Sequence, residues 1–408
     1  MAIFRLAARG ALMAAALIGA LQTTPEAAAA PAPASGAAPG SSPGSSPGSS
    51  PGSSPATLTD LAGRTVRIPA EPHRVLLGES RLLTAVALLQ GAQPLANIVG
   101  WQGDLPLMDP QTYNAYAQRF PGIKRIPLIG NASEDSISAE KALSLKPDVA
   151  IFSVAGEGPG RNNALVKQLE ATGTAVVFVD FRVHPLEDTV PSIRLLGAVL
   201  HREPEANAYI AFYQQHLARV QRTVAAIPAA QRPKVFIDLL AGVWAGGCCH
   251  TAGNGSFGDL IGAAGGVNIA AQLVPGALGD VSMEQIIAAR PDVYIATGSH
   301  TKPGFPSLRV GAQTSAHDAQ ASLAELVARP GFDAVKAIHD GRVHGISHNY
   351  YDSPYNIVAI EAFAKWFYPQ RFKDLDVAAT QAQLYRQFLA VPPDGAYWVD
   401  APLGQTVR

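Results

Sequence analysis

Arg81 and Arg182, the run Gly246-Gly247-Cys248-Cys249-His250 and the run His348-Asn349-Tyr350-Tyr351 are the parts of this 408-residue chain whose residue types could do chemistry. A guanidinium group is a planar fork of donors that matches oxyanions, so Arg81 and Arg182 suit an anionic ligand. Cys248 and Cys249 are the chain's two cysteines, and they are adjacent. Neighbouring Cα atoms lie ~3.8 Å apart, below the usual disulfide range, so a vicinal bond between them is expected to be strained and redox-labile. Three readings compete: such a bond shaping a loop, a soft metal site in which the Cys249 thiolate joins His250, or an inert thiol pair. His348 with Tyr350 could ligate iron; the plainer reading has His348 hydrogen-bonded locally and the tyrosines packed. Trp101, Trp244, Tyr350 and Tyr351 suit the wall of a ligand cleft, which is mostly apolar with a few polar groups that fix orientation.

These residues share a position: they stand just after apolar strands. Arg74–Gly78, Ile98–Trp101, Ala150–Phe152 and Ala175–Asp180 read as strands in the first half, and Lys234–Leu239, Tyr294–Ala296 and Arg342–Ile346 in the second. Helical stretches alternate with them, which predicts α/β architecture with parallel sheets covered on both faces. In such sheets ligands gather beyond the carboxyl ends of the strands. Glu79 to Arg81, Trp101 and Gln102, Gly156 and Glu157, Phe181 and Arg182 occupy those ends in the first half. Trp244 to His250, Ser299 and His300, and His348 to Tyr351 occupy them in the second.

One unit is written twice. Ser138-Ala139-Glu140, five residues, then Lys146-Pro147-Asp148-Val149 matches Ser282-Met283-Glu284, five residues, then Arg290-Pro291-Asp292-Val293. Each copy reads as a serine-capped helix, a proline stop and a buried strand, with its glutamate at the positive end of the helix dipole. Repetition about 144 residues apart predicts two similar α/β lobes. Between the copies, Pro204 to Ile227 has no internal glycine or proline and is long enough to bridge them.

Composition narrows the function. Net charge is −1 and charged residues make up 15%, so nothing argues for nucleic-acid or membrane-surface binding. Residues 1–30 have the basic start, short apolar run and small-residue end of a cleavable secretory signal, with no cysteine after it to carry a lipid anchor. Residues 31–57 repeat Pro-Gly-Ser-Ser and are expected to be a disordered spacer. The expected organisation is then a lobe over 58–203, an interdomain helix over 204–227 and a second lobe over 228–408. Gly262 to Gly266 fits no phosphate-binding fingerprint and reads as a turn. Neither G-x-S-x-G nor H-E-x-x-H occurs.

From Asp60 to Val75, through both repeat units, to Gly258-Asp259-Leu260-Ile261-Gly262-Ala263-Ala264-Gly265-Gly266-Val267-Asn268, the chain resembles the periplasmic substrate-binding proteins of ATP-driven importers for iron–siderophores, haem and cobalamin. The resemblance implies two Rossmann-like lobes joined by one long helix, with the ligand held between them. It implies that Glu140 and Glu284 dock against arginines of an inner-membrane permease with its ATPase, and that the protein is a periplasmic monomer without enzymatic activity. It implies no intrinsic cofactor; the ligand is a ferric chelate such as a catecholate or carboxylate complex, with haem or a corrinoid as the alternative. A metal-dependent enzyme using Cys249, His250 and His348, and a sensor whose partner is a signalling protein, are the readings from other classes.

Overall fold

The structure is a computed structural model that describes residues 56–243, 249–299 and 306–401. The expected signal sequence and all but the end of the expected spacer lie outside the described residues. Ala56 and Thr57, assigned to the spacer from sequence, instead belong to a strand, Ala56–Thr59, paired antiparallel with Thr65–Ile68. Asp60 closes that hairpin by accepting from the Ala62 and Arg64 amides.

The first lobe is built on five parallel strands in the spatial order Leu128–Gly130, Ile98–Gln102, Val75–Leu77, Val149–Ser153, Ala175–Val179. That is the 3-2-1-4-5 order of a doubly wound sheet, whose crevice opens where the winding reverses, between the strands Val75–Leu77 and Val149–Ser153. The second lobe repeats the plan: Val267–Asn268, Lys234–Asp238, Val293–Gly298 and Val343–Ser347 are parallel, and Trp398–Asp400 is added antiparallel at the edge. Val149 to Phe152 and Val176 to Val179 are fully buried, as strands covered on both faces must be. Burying each such side chain contributes about 1.5–3 kcal/mol.

The two repeat units fold alike. Ser138 Oγ accepts from the Lys141 amide and Ser282 Oγ from the Gln285 amide, both at 3.3 Å, capping the helices Ala139–Ser144 and Met283–Ala289. Lys146 and Arg290, each before a proline, both adopt left-handed backbone, with φ of 44° and 53°. Asp148 accepts from the His73 and Arg74 amides and Asp292 from the Lys234 amide, so each ties its unit to the start of the neighbouring strand. The fold thus accounts for the serine and the aspartate of the pattern. Glu140 and Glu284 are exposed in the first turns of their helices.

The helix Glu203–Ala225, about 34 Å long at 1.5 Å per residue, runs between the last strand of the first sheet and the first of the second. It packs on helix Pro185–Leu200 of the first lobe and on helix Asn356–Phe367 of the second. One apolar cluster therefore continues from Ile68 and Val177 through the buried Tyr209 and Tyr213 to Ile237 and Phe363. A wide hinge motion would have to unpack it. Of the stretch expected to be a turn, Gly262 and Ala263 still belong to helix Phe257–Ala263, and the turn follows at Ala264 and Gly265, the latter at φ +84°. Among the described residues no helix is long and apolar enough to cross a membrane.

Candidate functional site

Arg81 enters the interlobe crevice from the 3₁₀ turn Ser80–Leu82, immediately after the strand Val75–Leu77. Its Nε donates to Asp104 Oδ2 at 2.8 Å and its Nη1 to Asp352 Oδ2 at 2.6 Å, while Nη2 donates to Glu157. Arg182 follows the strand Ala175–Val179 and completes the cluster. It donates to Glu157 Oε2 at 3.1 Å and Asp352 Oδ2 at 3.3 Å, with Glu79 Oε2 3.7 Å away. Both arginines and Asp352 are buried to within about a tenth of their side-chain surface, with relative exposures of 7%, 12% and 6%.

The supporting bonds are local. Asp104 accepts from the backbone and hydroxyl of Ser80. Glu79 accepts from the Gly158 amide at 3.0 Å and from Ser153 Oγ at 3.2 Å. It can do so because residue 156 is glycine: a Cβ there would lie 1.9 Å from Glu79 Oε1. Burial raises the Glu79 carboxyl above its ordinary value against the pull of Arg182 and Arg81. Burial also opposes charge on Glu157, but Arg182 and Arg81 outweigh it and hold that carboxyl below the usual range. Burial works against Arg81 as well, and Asp352, Asp104 and Glu157 together raise it well above the ordinary arginine value.

Two guanidinium groups thus meet four carboxylates. The sequence expectation of two arginines open to an anion is corrected on this point: both are in the crevice, and both are already ion-paired. Glu79 and Glu157 stood at strand ends in the sequence, but Asp104 and Asp352 carried no signal there; Asp352 meets Arg81 across 271 positions of chain. Beside the arginines, Glu79, Phe181 and Asp352 leave a space of ≈ 10 Å³, about the least that a water needs. A neighbouring interlobe cavity of ≈ 60 Å³ is lined by Asp109, Tyr116, Asn349, Tyr350, Tyr355 and Tyr397 among others. It is closed by Asn349 donating to Asp109 Oδ2 at 2.7 Å and by Tyr355 donating to the Thr84 carbonyl.

The remaining expected residues divide. His348 is half-buried beside the arginines, with Nδ1 2.9 Å from Thr297 Oγ1. Burial first, then Arg81, Arg182 and His250, push its pKa down to about 3, so it is a neutral imidazole at physiological pH. Tyr351 packs between His348 and Phe257 and lies under Arg182, whose Cζ is 5.8 Å from the ring centre. Tyr350 is buried with its hydroxyl accepting from Gln381 Nε2 at 2.8 Å. Burial raises both phenols, which disfavours the phenolate that iron ligation needs.

Trp101 is corrected from cleft wall to core: it is 1% exposed within the apolar cluster. Trp244 and Cys248 lie outside the described residues. Cys249 is disulfide-bonded and packs in the core of the second lobe, so it has no thiolate to give a metal. His250 sits on strand His250–Ala252, its Nδ1 2.9 Å from Asp280 Oδ1. The Cys249–His250 metal site is thereby corrected. Among the described residues, no group of three or more His, Cys, Asp or Glu side chains is arranged to hold a metal ion.

Paired doubly wound lobes, one connecting helix and charged side chains meeting beyond the strands' carboxyl ends define a two-lobed solute-binding protein. The family model for periplasmic binding proteins matches residues 109–350, more than half of the chain. The chain belongs to that family. Among solved structures it is similar to the TroA-like periplasmic binding protein FepB from Veillonella parvula, with 25% identity, a TM-score of 0.74, and coverage of 85% of this chain and 100% of that one. It also resembles an ABC-type Fe3+-hydroxamate transport system protein from Saccharomonospora viridis, with 21% identity, a TM-score of 0.54, and coverage of 77% and 99%. A periplasmic heme binding protein from Pseudomonas aeruginosa aligns with 21% identity and a TM-score of 0.53 over 82% and 99%. These last two likenesses are of fold alone. A search of curated proteins returns no match.

Proposed function

We propose that this protein captures an iron–siderophore or related metal chelate between its lobes and delivers it to an inner-membrane ABC importer, by binding and hand-over without bond chemistry. The observation that carries the reading is the convergence of Arg81, Arg182, His348 and Tyr351 where the carboxyl ends of both sheets meet. Guanidinium groups recognise oxygen donors at the rim of a chelate, and a neutral imidazole and an aromatic face complete a mixed polar and apolar wall. Four carboxylates against two guanidiniums favour a ferric complex of low net charge over a polyanionic one, because surplus buried charge is costly. The buried phenols disfavour haem held by a tyrosinate. Iron arrives as cargo in this reading; the chain needs no resident cofactor. Glu140 and Glu284, exposed and equivalent on the two lobes, are the contacts for the permease, and the protein works as a monomer in the periplasm.

Native mass spectrometry with an absorption spectrum tests this on mature protein exposed to spent medium from iron-starved cells. The expected result is an added mass accompanied by a broad visible charge-transfer band. A sharp porphyrin band would move the assignment to haem. Retention of a bare metal alone would refute chelate capture.

A further inference from the structure

Asp352 differs from its neighbours in the arginine cluster. Asp104, Glu157 and Glu79 all come from the first lobe, as do Arg81 and Arg182, and those three carboxylates already outnumber the two guanidiniums. Asp352 reaches in from the second lobe, on the segment between strand Val343–Ser347 and helix Asn356–Phe367. A single oxygen of it, Oδ2, lies 2.6 Å from Arg81 Nη1 and 3.3 Å from Arg182 Nη2. One oxygen shared by two guanidiniums is also how a carboxylate or other single oxyanion of a solute would be held there. The space beside this contact, ≈ 10 Å³, leaves no room for such a group while Asp352 is in place. The continuous apolar cluster opposes a wide parting of the lobes, so room is made most simply by turning Asp352 aside.

We infer that Asp352 is a built-in counter-ligand: its carboxylate holds the place on Arg81 and Arg182 that one acidic donor group of the cargo takes, and cargo binds by exchange with it. The identity of the cargo rests on the chelate reading above; the exchange itself does not. Replacing one carboxylate oxygen by one ligand oxyanion leaves the charge of the cluster unchanged, whereas a polyanion adds negative charge to a buried site that already has an excess. Asp352 is then a specificity residue that admits solutes with one acidic donor at this point and opposes more highly charged ones.

The test compares wild type with Asp352→Asn, which keeps the shape and removes the charge, and with Asp352→Ala as a second variant. Two readouts are taken: affinity for a ferric trihydroxamate that carries one free carboxylate, by calorimetry, and hydrogen exchange of the amides over 349–356 without added ligand. Removing the internal competitor is expected to tighten binding of this monocarboxylate chelate by about tenfold, because the competent fraction of the protein rises, and to speed exchange over 349–356. Equal or weaker binding by both variants would overturn the counter-ligand assignment. If no variant and no wild type binds this chelate, exchange decides: faster exchange keeps the Asp352 contact as the closure and counts against chelate capture, and unchanged exchange overturns the inference.

Discussion

Replacing Arg81 by methionine removes the hub of the crevice while keeping an apolar stem. The guanidinium serves three carboxylates, Asp104 and Asp352 at 2.8 and 2.6 Å and Glu157 beside them, with 7% of its side chain exposed. Breaking a buried pair by removing one partner costs about 3–5 kcal/mol, because the other partner keeps an uncompensated charge. Arg182 still faces Glu157 and Asp352, so the lower half of that range is expected. At about 2 °C per kcal/mol for a chain of this size, the midpoint of thermal unfolding at pH 7 should fall by about 6–8 °C. The deficit should shrink toward pH 5. In the wild type Glu157 is depressed, so its contribution is complete above the ordinary carboxylate pKa of 4.5 and is lost only as pH falls through its lower folded value. In the variant the same carboxyl is buried with one arginine fewer, its folded pKa rises, and protonation at pH 5 relieves part of the penalty. Tryptophan-monitored thermal melts at the two pH values measure this directly. A midpoint within about 2 °C of wild type at pH 7, or an equal deficit at both pH values, would refute a stabilising ion-pair hub.

Glu140→Ala combined with Glu284→Ala is expected to leave thermal stability and solute affinity unchanged and to abolish uptake; uptake at the wild-type rate would remove the docking assignment. Asp109 is raised by burial against donors from Thr112 and Asn349, so its folded pKa exceeds its unfolded one. It therefore opposes folding above that folded pKa and ceases to do so as pH falls through it. Asn349→Ala, which removes one donor to the charged form, should raise that pKa further and steepen the gain in stability as pH falls through it; identical pH profiles would show that the Asn349 contact is inert. Reduction of the Cys249 disulfide should change solute affinity while the far-ultraviolet circular dichroism persists, and superimposable titrations with and without reductant would show the bond to be irrelevant to binding.

The strands were legible because a parallel sheet covered on both faces needs unbroken apolar runs, and Ala175 to Val179 is one in both sequence and structure. Elements defined by pairing with distant chain were not. Trp398–Asp400 is a strand because His344 to Ile346 lies beside it, and nothing in its three residues says so. Helix boundaries moved for local reasons. The helix expected from Pro204 begins at Glu203, which leaves Pro204 in the first turn, where its missing N–H needs no partner.

At the site, position relative to strand ends found both arginines and His348 but misjudged Trp101. In a sheet covered on both sides, the last residues of a strand can still face the interior, and Trp101 does. The larger gap concerns charge. Read alone, Arg81 and Arg182 ask for an anion, and Glu79, two residues before Arg81, is one carboxylate against two guanidiniums. The fold brings in Asp104 from the end of the adjoining strand, Glu157 from beyond another and Asp352 from the far lobe, and the sum changes sign. What the crevice selects is therefore set less by its arginines than by how many of their carboxylate partners a solute can replace, and Asp352 is the one partner that a solute can exchange without unpicking the first lobe.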